Sequence, residues 1–290
     1  MRFLVTGVTG FLGWRAATLL SERGHDVLGL ARPGGAARTH ASEVRAERVD
    51  AGDPAARALV AGCDVVLHFA GVPEPARARQ DPARAVRENA GTTVNLLDGC
   101  LEHGAGLIYP STVRAALDPP PDAYGLSKRL GEEACRLHTA RATVARLTSV
   151  FGPGQVAWEG ATGAIAAFAR RALEGQPIVI PGDPQRVRDF VYVDDAIAAL
   201  EAIAAQERWG ETLTLAGGRP SPLLRAAELV RDAAGSDVPI ETPGGELPPG
   251  EDASYAAEGD LAGLGVAVRP IENAVSGYIE WLRRHPDAPR

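Results

Sequence analysis

The chain has 290 residues, 45% hydrophobic, 23% charged and 5% aromatic, with a formal net charge of −7, which suits one large globular domain or two modest ones. No apolar run reaches the roughly 18 residues of a membrane span, and the 30 basic residues are too scattered for a nucleic-acid footprint. Three widely spaced cysteines and six histidines without ligand spacing disfavour a disulfide framework or a metal site, and the start of the chain enters a strand-like run without a secretory pattern, so a reducing, cytoplasmic setting is expected.

Arg2–Val5 reads as a strand, and a glycine-punctuated turn leads into a helical stretch, Leu12–Arg23. Asp26–Leu30 is the next strand and a short one follows near Ala46–Val49. A helix at Pro54–Ala61, a buried strand at Asp64–Ala70, a helix at Ala83–His103 and a strand at Leu107–Tyr109 continue the alternation. Strands alternating with helices predict βαβ units, right-handed crossovers and a parallel sheet. Apolar runs such as Val65-Val66-Leu67 predict strands covered on both faces. The fold class expected is a doubly wound α/β (Rossmann) sheet over residues 1–150. After Phe151 proline and glycine recur and the strand-like pieces shorten to Ile178–Ile180, Phe190–Val193 and Thr212–Leu215. That predicts a smaller, irregular α/β part for substrate, residues 151–187 and 217–290, with 188–216 packing back onto the first part. Pro243–Asp252 reads as a loop, and His285–Arg290 as a fraying tail.

Thr6-Gly7-Val8-Thr9-Gly10-Phe11-Leu12-Gly13 lies between the first strand and first helix. Glycines so spaced let the backbone turn tightly and approach a pyrophosphate, which the helix N-terminus then faces with free N–H groups. The second strand ends at Ala31-Arg32, where an NAD-selective site carries a carboxylate for the ribose hydroxyls. A missing carboxylate beside a guanidinium suits a 2′-phosphate, so NADP is expected ahead of NAD; a solvated surface arginine is the alternative reading. Asp50, after the third strand, is a candidate for the adenine amino group, or for the cap of the next turn.

Of the 30 basic residues 29 are arginine, and the single lysine, Lys128, stands four positions after Tyr124 at the start of a predicted helix (Tyr124–Ala140). That spacing puts both side chains on one helical face. A compact ammonium stabilises a phenolate and can reach a ribose hydroxyl, which a planar guanidinium does poorly. Leu107–Thr112 ends a strand with two hydroxyls, Ser111 and Thr112, placed to bond a substrate oxygen beyond the carboxyl end of the sheet. His68 reads as a packing histidine.

These features together resemble the extended short-chain dehydrogenases/reductases of the NAD-dependent epimerase/dehydratase family. The matching pattern runs from Thr6-Gly7-x-x-Gly10-x-x-Gly13 through His68-x-Ala70-Gly71, Asn89, Asn95-Leu96-Leu97, Ser111-Thr112 and Tyr124-x-x-x-Lys128. It continues with Arg146, Phe151-Gly152-Pro153, Gly182-Asp183 and Arg188–Asp195. The resemblance implies Tyr124 as acid/base, Lys128 as its electrostatic partner and ribose ligand, and Thr112 or Ser111 as the hydroxyl orienting the substrate oxygen. It implies a dinucleotide held by Gly7, Thr9, Gly10, Phe11, Leu12, Gly13, Ala31, Arg32, Asp50, Ala51, Phe69, Ala70, Gly71, Asn89, Tyr124 and Lys128. Substrate contacts are expected at Val72, Thr112, Ser149 and Arg188, and a homodimer through the Ala83–His103 and Tyr124–Ala140 helices.

Departures from the family pattern narrow the reading. Tyr124 follows Thr112 by only 12 positions, a shorter loop than nucleotide-sugar enzymes of the family usually carry. Family dehydratases have Asp-Glu directly after the catalytic Thr, where this chain has Val113-Arg114. The phosphate clamp is partial: Ser149 and Arg188 are present, and Pro248-Pro249 fill the region of a third member. The function expected is hydride transfer at a secondary alcohol or ketone, foremost nucleotide-sugar epimerisation. An NADPH-dependent carbonyl reductase and a non-catalytic, cofactor-bound sensor are the alternatives.

Overall fold

Strand and helix alternate through the first half of the chain because each apolar run is closed by glycine, proline or a capping residue. The computed structural model describes residues 1–34, 44–158, 163–286 and 288. Its elements are β1 (Arg2–Thr6), α1 (Phe11–Glu22), β2 (Asp26–Ala31), β3 (Ala46–Arg48), α2 (Ala55–Ala58), β4 (Val65–His68), α3 (Pro75–Gln80), α4 (Pro82–Val86), α5 (Thr92–His103), β5 (Gly106–Thr112), α6 (Ala123–Leu137) and β6 (Ala142–Leu147). There follow β7 (Ser149–Phe151), α7 (Ala164–Leu173), β8 (Ile178–Pro181), β9 (Val187–Arg188), β10 (Phe190–Tyr192), α8 (Val193–Ala205), β11 (Thr212–Leu215), β12 (Ser221–Pro222), α9 (Leu223–Ala233), β13 (Ile240–Gly244) and α10 (Ile271–Arg284).

The chain divides into two compact units, and the first comprises Met1–Leu147 with Ile197–Thr214. Its sheet has seven strands in the order β11-β6-β5-β4-β1-β2-β3. The pairs from β3 across to β6 are all parallel, the doubly wound arrangement expected from the alternation. Every residue of β4 and β5 is buried, as strands covered on both faces must be. After β3 the chain crosses to the other side of β1, so the strand order switches between β1 and β4. In open α/β sheets such a switch leaves a crevice outside the carboxyl ends of the strands, here Thr6 and His68. Leu4, Leu30, Val66, Leu96, Leu97, Leu107 and Tyr109 are among the side chains that fill one core of this unit.

Three helices differ from their predicted extents by more than one residue at an end; the one expected at Pro54–Ala61 keeps only Ala55–Ala58, and the other two differ for local reasons. The stretch expected as one helix, Ala83–His103, is broken into α4, a π turn at Arg87–Gly91 and α5. Pro82 starts α4 at a position where its missing N–H costs nothing, and the Asp81 carboxylate caps it by accepting from the Arg84 N–H at 2.9 Å. The helix expected at Tyr124–Ala140 ends at Leu137, and the His138 ring accepts from the Ala140 N–H at 3.0 Å.

The second unit comprises Thr148–Ala196 with Leu215–Arg290. Residues 188–196, expected with the first part, cluster here because Phe190 and Tyr192 join an aromatic core with Phe151 and Tyr278. The Phe151 ring meets those of Phe190, Tyr192 and Tyr278 edge-on, with centroids 6.2, 5.9 and 6.0 Å away. Its strands form three separate pairs, β10-β7, β12-β9 and β13-β8. Pro243 and Gly244, expected in a loop, close β13, which pairs with β8. His285 does not fray. Its ring packs against Trp158 and Trp281 at 5.4 and 5.7 Å; the tail positions 287, 289 and 290 lie outside the described residues.

Candidate active site

The glycine loop has the backbone that a dinucleotide requires. Gly7 is left-handed at φ +69°, and a Cβ there would stand 2.9 Å from the Ala70 nitrogen, so the loop lies directly against the end of β4. A Cβ on Gly13 would collide with the Gly7 carbonyl, so α1 starts tight against the loop. Gly10 is the N-cap and makes no side-chain cap, leaving the first-turn N–H groups of Phe11, Leu12 and Gly13 for a ligand. These residues therefore fit a pyrophosphate, with Thr9 beside them.

Behind this loop His68 ties three elements together. The Thr92 hydroxyl donates to the Glu88 carbonyl at 2.6 Å, so it must accept from His68 Nε2, 3.1 Å away. Nδ1 then carries no proton and accepts from the Thr6 hydroxyl at 2.9 Å, which itself accepts the Ala70 N–H at 2.9 Å. Burial, then the Lys128 charge, pushes His68 down to about 3, so it stays neutral as this chain of bonds demands.

Tyr124, Lys128 and Glu132 follow at four-residue steps along one face of α6. Lys128 is buried; its ammonium donates to the Pro110 carbonyl at 2.9 Å and lies 4.7 Å from the centre of the Tyr109 ring. Burial pulls it down to about 8, opposed by the Glu132 carboxylate. Tyr124 is half-buried and packs with Val72, Ala78 and Ala85. Loss of hydration pushes its hydroxyl up to about 12; the cation opposing this is Arg114, not Lys128 as the spacing suggested, and Asp122 adds to the rise. Glu132 accepts three bonds from Arg146, at 3.0, 3.2 and 2.6 Å.

The two adjacent hydroxyls of β5 have different surroundings. Ser111 donates to Glu132 Oε1 at 2.6 Å, so its proton is committed. Thr112 accepts only weakly, from the Arg114 N–H at 3.3 Å, and among the described residues no acceptor takes its own hydroxyl proton. Asn89, fully buried in the π turn, takes the Val72 N–H on its oxygen at 2.8 Å and donates to Ser127 at 2.8 Å. Its side chain thus fixes the segment after β4, which includes Phe69, Ala70, Gly71 and Val72, against α6. Ala31 is buried and ends β2. Arg32 is exposed and paired with Glu88 at 3.1 Å. Asp50 is exposed, accepts the Gly52 N–H at 2.8 Å and precedes the buried Ala51. In the second unit Ser149 donates its N–H to the Asp189 carbonyl at 3.0 Å. Arg188 donates to the carbonyls of Ala253 and Glu251 at 2.5 and 3.0 Å and lies 4.9 Å from the Tyr255 ring centre.

Sequence reasoning missed Asp122, Ser127 and Glu132 as parts of this site. The signal for Asp122 was available: an aspartate directly before a helix start is an N-cap, and it accepts the Gly125 N–H at 2.8 Å. Glu132 continues the four-residue spacing from Lys128. A cavity of about 660 Å³ lies elsewhere, beside Asp64, Gly104, Arg141 and Trp209. It sits at the amino ends of the strands, the opposite end from the ligand crevice of such sheets.

Comparison with known proteins gives the family and the fold. The sequence profile of the NAD dependent epimerase/dehydratase family matches residues 3–216. The chain is 28% identical to a dTDP-glucose 4,6-dehydratase of Streptomyces griseus, over 97% of this chain and 94% of that one. It is 24% identical to a probable UDP-glucuronate 4-epimerase of Rhizobium meliloti, over 97% and 96%. Its fold is similar to that of UDP-glucose 4-epimerase from Thermotoga maritima, solved with UDP-glucose, at a TM-score of 0.86 and 24% identity over 98% and 99% of the two chains. The Thermus thermophilus UDP-glucose 4-epimerase, solved with NAD, superposes at 0.83 with the same identity and coverage. The first unit's sheet, its glycine loop and the Tyr124–Lys128 pair fall within the matched span, and the chain belongs to the NAD-dependent epimerase/dehydratase family.

Proposed function

We propose that this protein is a nucleotide-sugar epimerase, with Tyr124 as the acid/base and Thr112 as the hydroxyl that orients the reacting oxygen. The observation that carries the reading is the division of labour at the end of β5. Ser111 is committed to Glu132, Thr112 keeps its proton, and Lys128 lies buried beneath Tyr124's helix face. Tyr124 takes the proton of a secondary alcohol and gives it back when the ketone is reduced on its other face. A nicotinamide dinucleotide, were it bound, would supply the hydride acceptor and donor for this exchange. Gly7, Thr9, Gly10 and the first turn of α1 would hold its pyrophosphate, and Lys128 would donate to its ribose. Relatives named for dTDP-glucose and UDP-glucuronate support a nucleotide sugar as substrate. Val113 and Arg114 follow Thr112, and Arg114 is held by Asp122, so this turn supplies neither acid nor base for water elimination.

The test is product analysis by NMR after incubation with NAD and UDP-glucose, UDP-glucuronate or dTDP-glucose. An epimer without net reduced nicotinamide is expected. A 4-keto-6-deoxy sugar would make the protein a dehydratase, and stoichiometric NADPH oxidation by small ketones would make it a reductase.

Three narrower proposals accompany this reading. NADP is preferred over NAD, on the strength of Ala31 and Arg32; a 2′-phosphate must displace Glu88 from Arg32, so Glu88→Gln should tighten NADP and leave NAD unchanged. The chain forms a homodimer through α5 and α6, which expose Val94 and Leu101 on one helix and Leu126, Leu130 and Leu137 on the other. A self-complementary stripe of this kind suits a two-fold interface; a monomeric mass at micromolar concentration would refute it, and Leu130→Arg should dissociate it. Three free, buried cysteines favour the cytoplasm as its compartment.

A further inference from the structure

One buried ion pair ties the turn after Thr112 to the start of α6. Arg114 Nη1 lies 2.5 Å from Asp122 Oδ2, and the two side chains are only 12% and 3% exposed. The other Asp122 oxygen accepts the Gly125 N–H at 2.8 Å, which caps the helix in whose first turn Tyr124 stands. Arg114's own N–H meets the Thr112 hydroxyl at 3.3 Å. Its carbonyl lies so close to α6 that a Cβ on Gly125 would stand 3.2 Å from it. Arg114 therefore touches both hydroxyl-bearing segments of the site. A helix cap needs the aspartate alone, since one carboxylate oxygen satisfies the N–H group. Taking a guanidinium out of water as well is costly, and a buried ion pair is weak evidence of stability for its own sake.

We propose that Arg114 and Asp122 form a charge couple that positions Tyr124 and sets the field at its hydroxyl, Arg114 as the cationic member and Asp122 as the anionic one. The proposal rests on the reading of Tyr124 as the acid/base. The cation favours the phenolate and the carboxylate the phenol, in line with the opposite directions in which the two move Tyr124. The other charged groups on the elements packed against α6 are engaged elsewhere or exposed. Glu74 pairs with Arg77, Glu88 with Arg32 and Arg84, and Glu132 with Arg146. Arg129 binds Asp118 and the Ala115 carbonyl, Asp81 caps α4, and Arg79 and Arg87 are exposed. Lys128 points its ammonium at Pro110, and His68 is neutral. Tyr109, on β5, donates to the Asn89 carbonyl at 2.9 Å and stays protonated, since burial raises it well above its ordinary value.

Opposite members of a couple must move the tyrosine in opposite directions, which loss of structure cannot imitate. The experiment is a pH titration, by NMR, of the full-length protein carrying ¹³Cζ-tyrosine, with saturating NAD, the Tyr124 signal being the one absent from Tyr124→Phe. In Arg114→Met the Tyr124 midpoint should rise by about one pH unit, and in Asp122→Asn, which retains the capping oxygen, it should fall by about as much. Arg114→Lys keeps the charge and should stay near the parent midpoint. Movement of Met and Asn variants in the same direction, or of neither, overturns the proposal. If Arg114→Met does not fold, the Asn and Lys variants decide: a lowered midpoint in the first with an unmoved one in the second supports the couple, and anything else overturns it. Tyr124→Phe with undiminished turnover would instead defeat the assignment of Tyr124 as acid/base, whatever the titration shows.

Discussion

The two units of this protein bury polar groups for different purposes. In the first, Thr6, His68, Asn89, Ser111, Thr112, Ser127, Lys128 and Glu132 are all buried, at the carboxyl ends of β1, β4 and β5, in the π turn and on α6. Their bonds run between elements: Thr6 to His68, Asn89 to Ser127, Lys128 to Pro110. In the second, the core is an aromatic cluster, and buried charges pin irregular chain. Asp189 accepts the N–H groups of Gly217 and Arg219 at 2.6 and 3.1 Å, Asp195 accepts that of Arg269 at 2.8 Å, and Arg186 donates to the carbonyls of Pro181 and Asp183. A regular sheet satisfies its own backbone and leaves buried side chains available for a site. A unit of short strand pairs must use them to satisfy loops.

The difference can be broken first by acid. His68 is neutral when folded, with its midpoint near 3 against 6.5 for the free group, so the unfolded chain binds the extra proton between those values. Its contribution is fully present above about pH 6.5 and is lost as pH falls toward 3, on the order of 5 kcal/mol if titration were complete. Thermal melts of the parent should therefore lose stability through that window faster than those of His68→Gln, which cannot charge; parallel slopes would remove His68 from the account.

Next, Phe151→Ala removes the hub of the second unit's aromatic core and should cost about 3–5 kcal/mol in urea unfolding. Because the residues proposed to hold the dinucleotide lie in the first unit, NAD affinity measured on the folded variant should not change. A loss of NAD affinity would show that the units are not separable in this way.

Lys128→Arg reverses that pattern. It conserves charge and helix propensity, yet a planar fork fits poorly where an ammonium meets Pro110 at 2.9 Å. Turnover should fall by at least about 100-fold, the low end for losing a positioned acid/base partner. Near-parental turnover would remove Lys128 from the proposed site. The smallest effect separates the two hydroxyls: Ser111→Ala should cost about 1 kcal/mol of stability with a modest change in turnover, and Thr112→Ala should raise KM and lower kcat with little change in stability. The reverse ranking would exchange their roles.

Much of the first unit could be read before any coordinates, because periodicity and punctuation are local. Apolar runs closed by Gly7, by Arg32-Pro33 and by Gly71 located β1, β2 and β4, and four-residue spacing put Tyr124 and Lys128 on one face. Where local signals were interrupted, reading failed. The π turn at Arg87–Gly91 has an ordinary helical composition, and what selects it is Asn89, whose carbonyl accepts from Tyr109 and Thr93 and whose amide spans Val72 and Ser127. None of those partners is visible from within the segment. Likewise the segment 188–196 looked like a return to the sheet until Phe190 and Tyr192 met Phe151.

By itself, then, the sequence determined the sheet, the glycine loop at the start of α1 and the placing of Tyr124 and Lys128 on one face of α6, since each depends on residue type, spacing and the path of the chain. Tertiary structure alone decided which hydroxyl is committed to a carboxylate, where the lysine points and which cation pairs with the cap of the tyrosine's helix. Ser111 and Thr112 are chemically alike and adjacent; only Glu132, brought in from the next helix, tells them apart. Lys128 is aimed by the Pro110 carbonyl, and Arg114 reaches Tyr124's helix through Asp122 across a turn. Proton placement and field at a site are set by neighbours within a few ångströms in space, and distance along the chain carries no record of them.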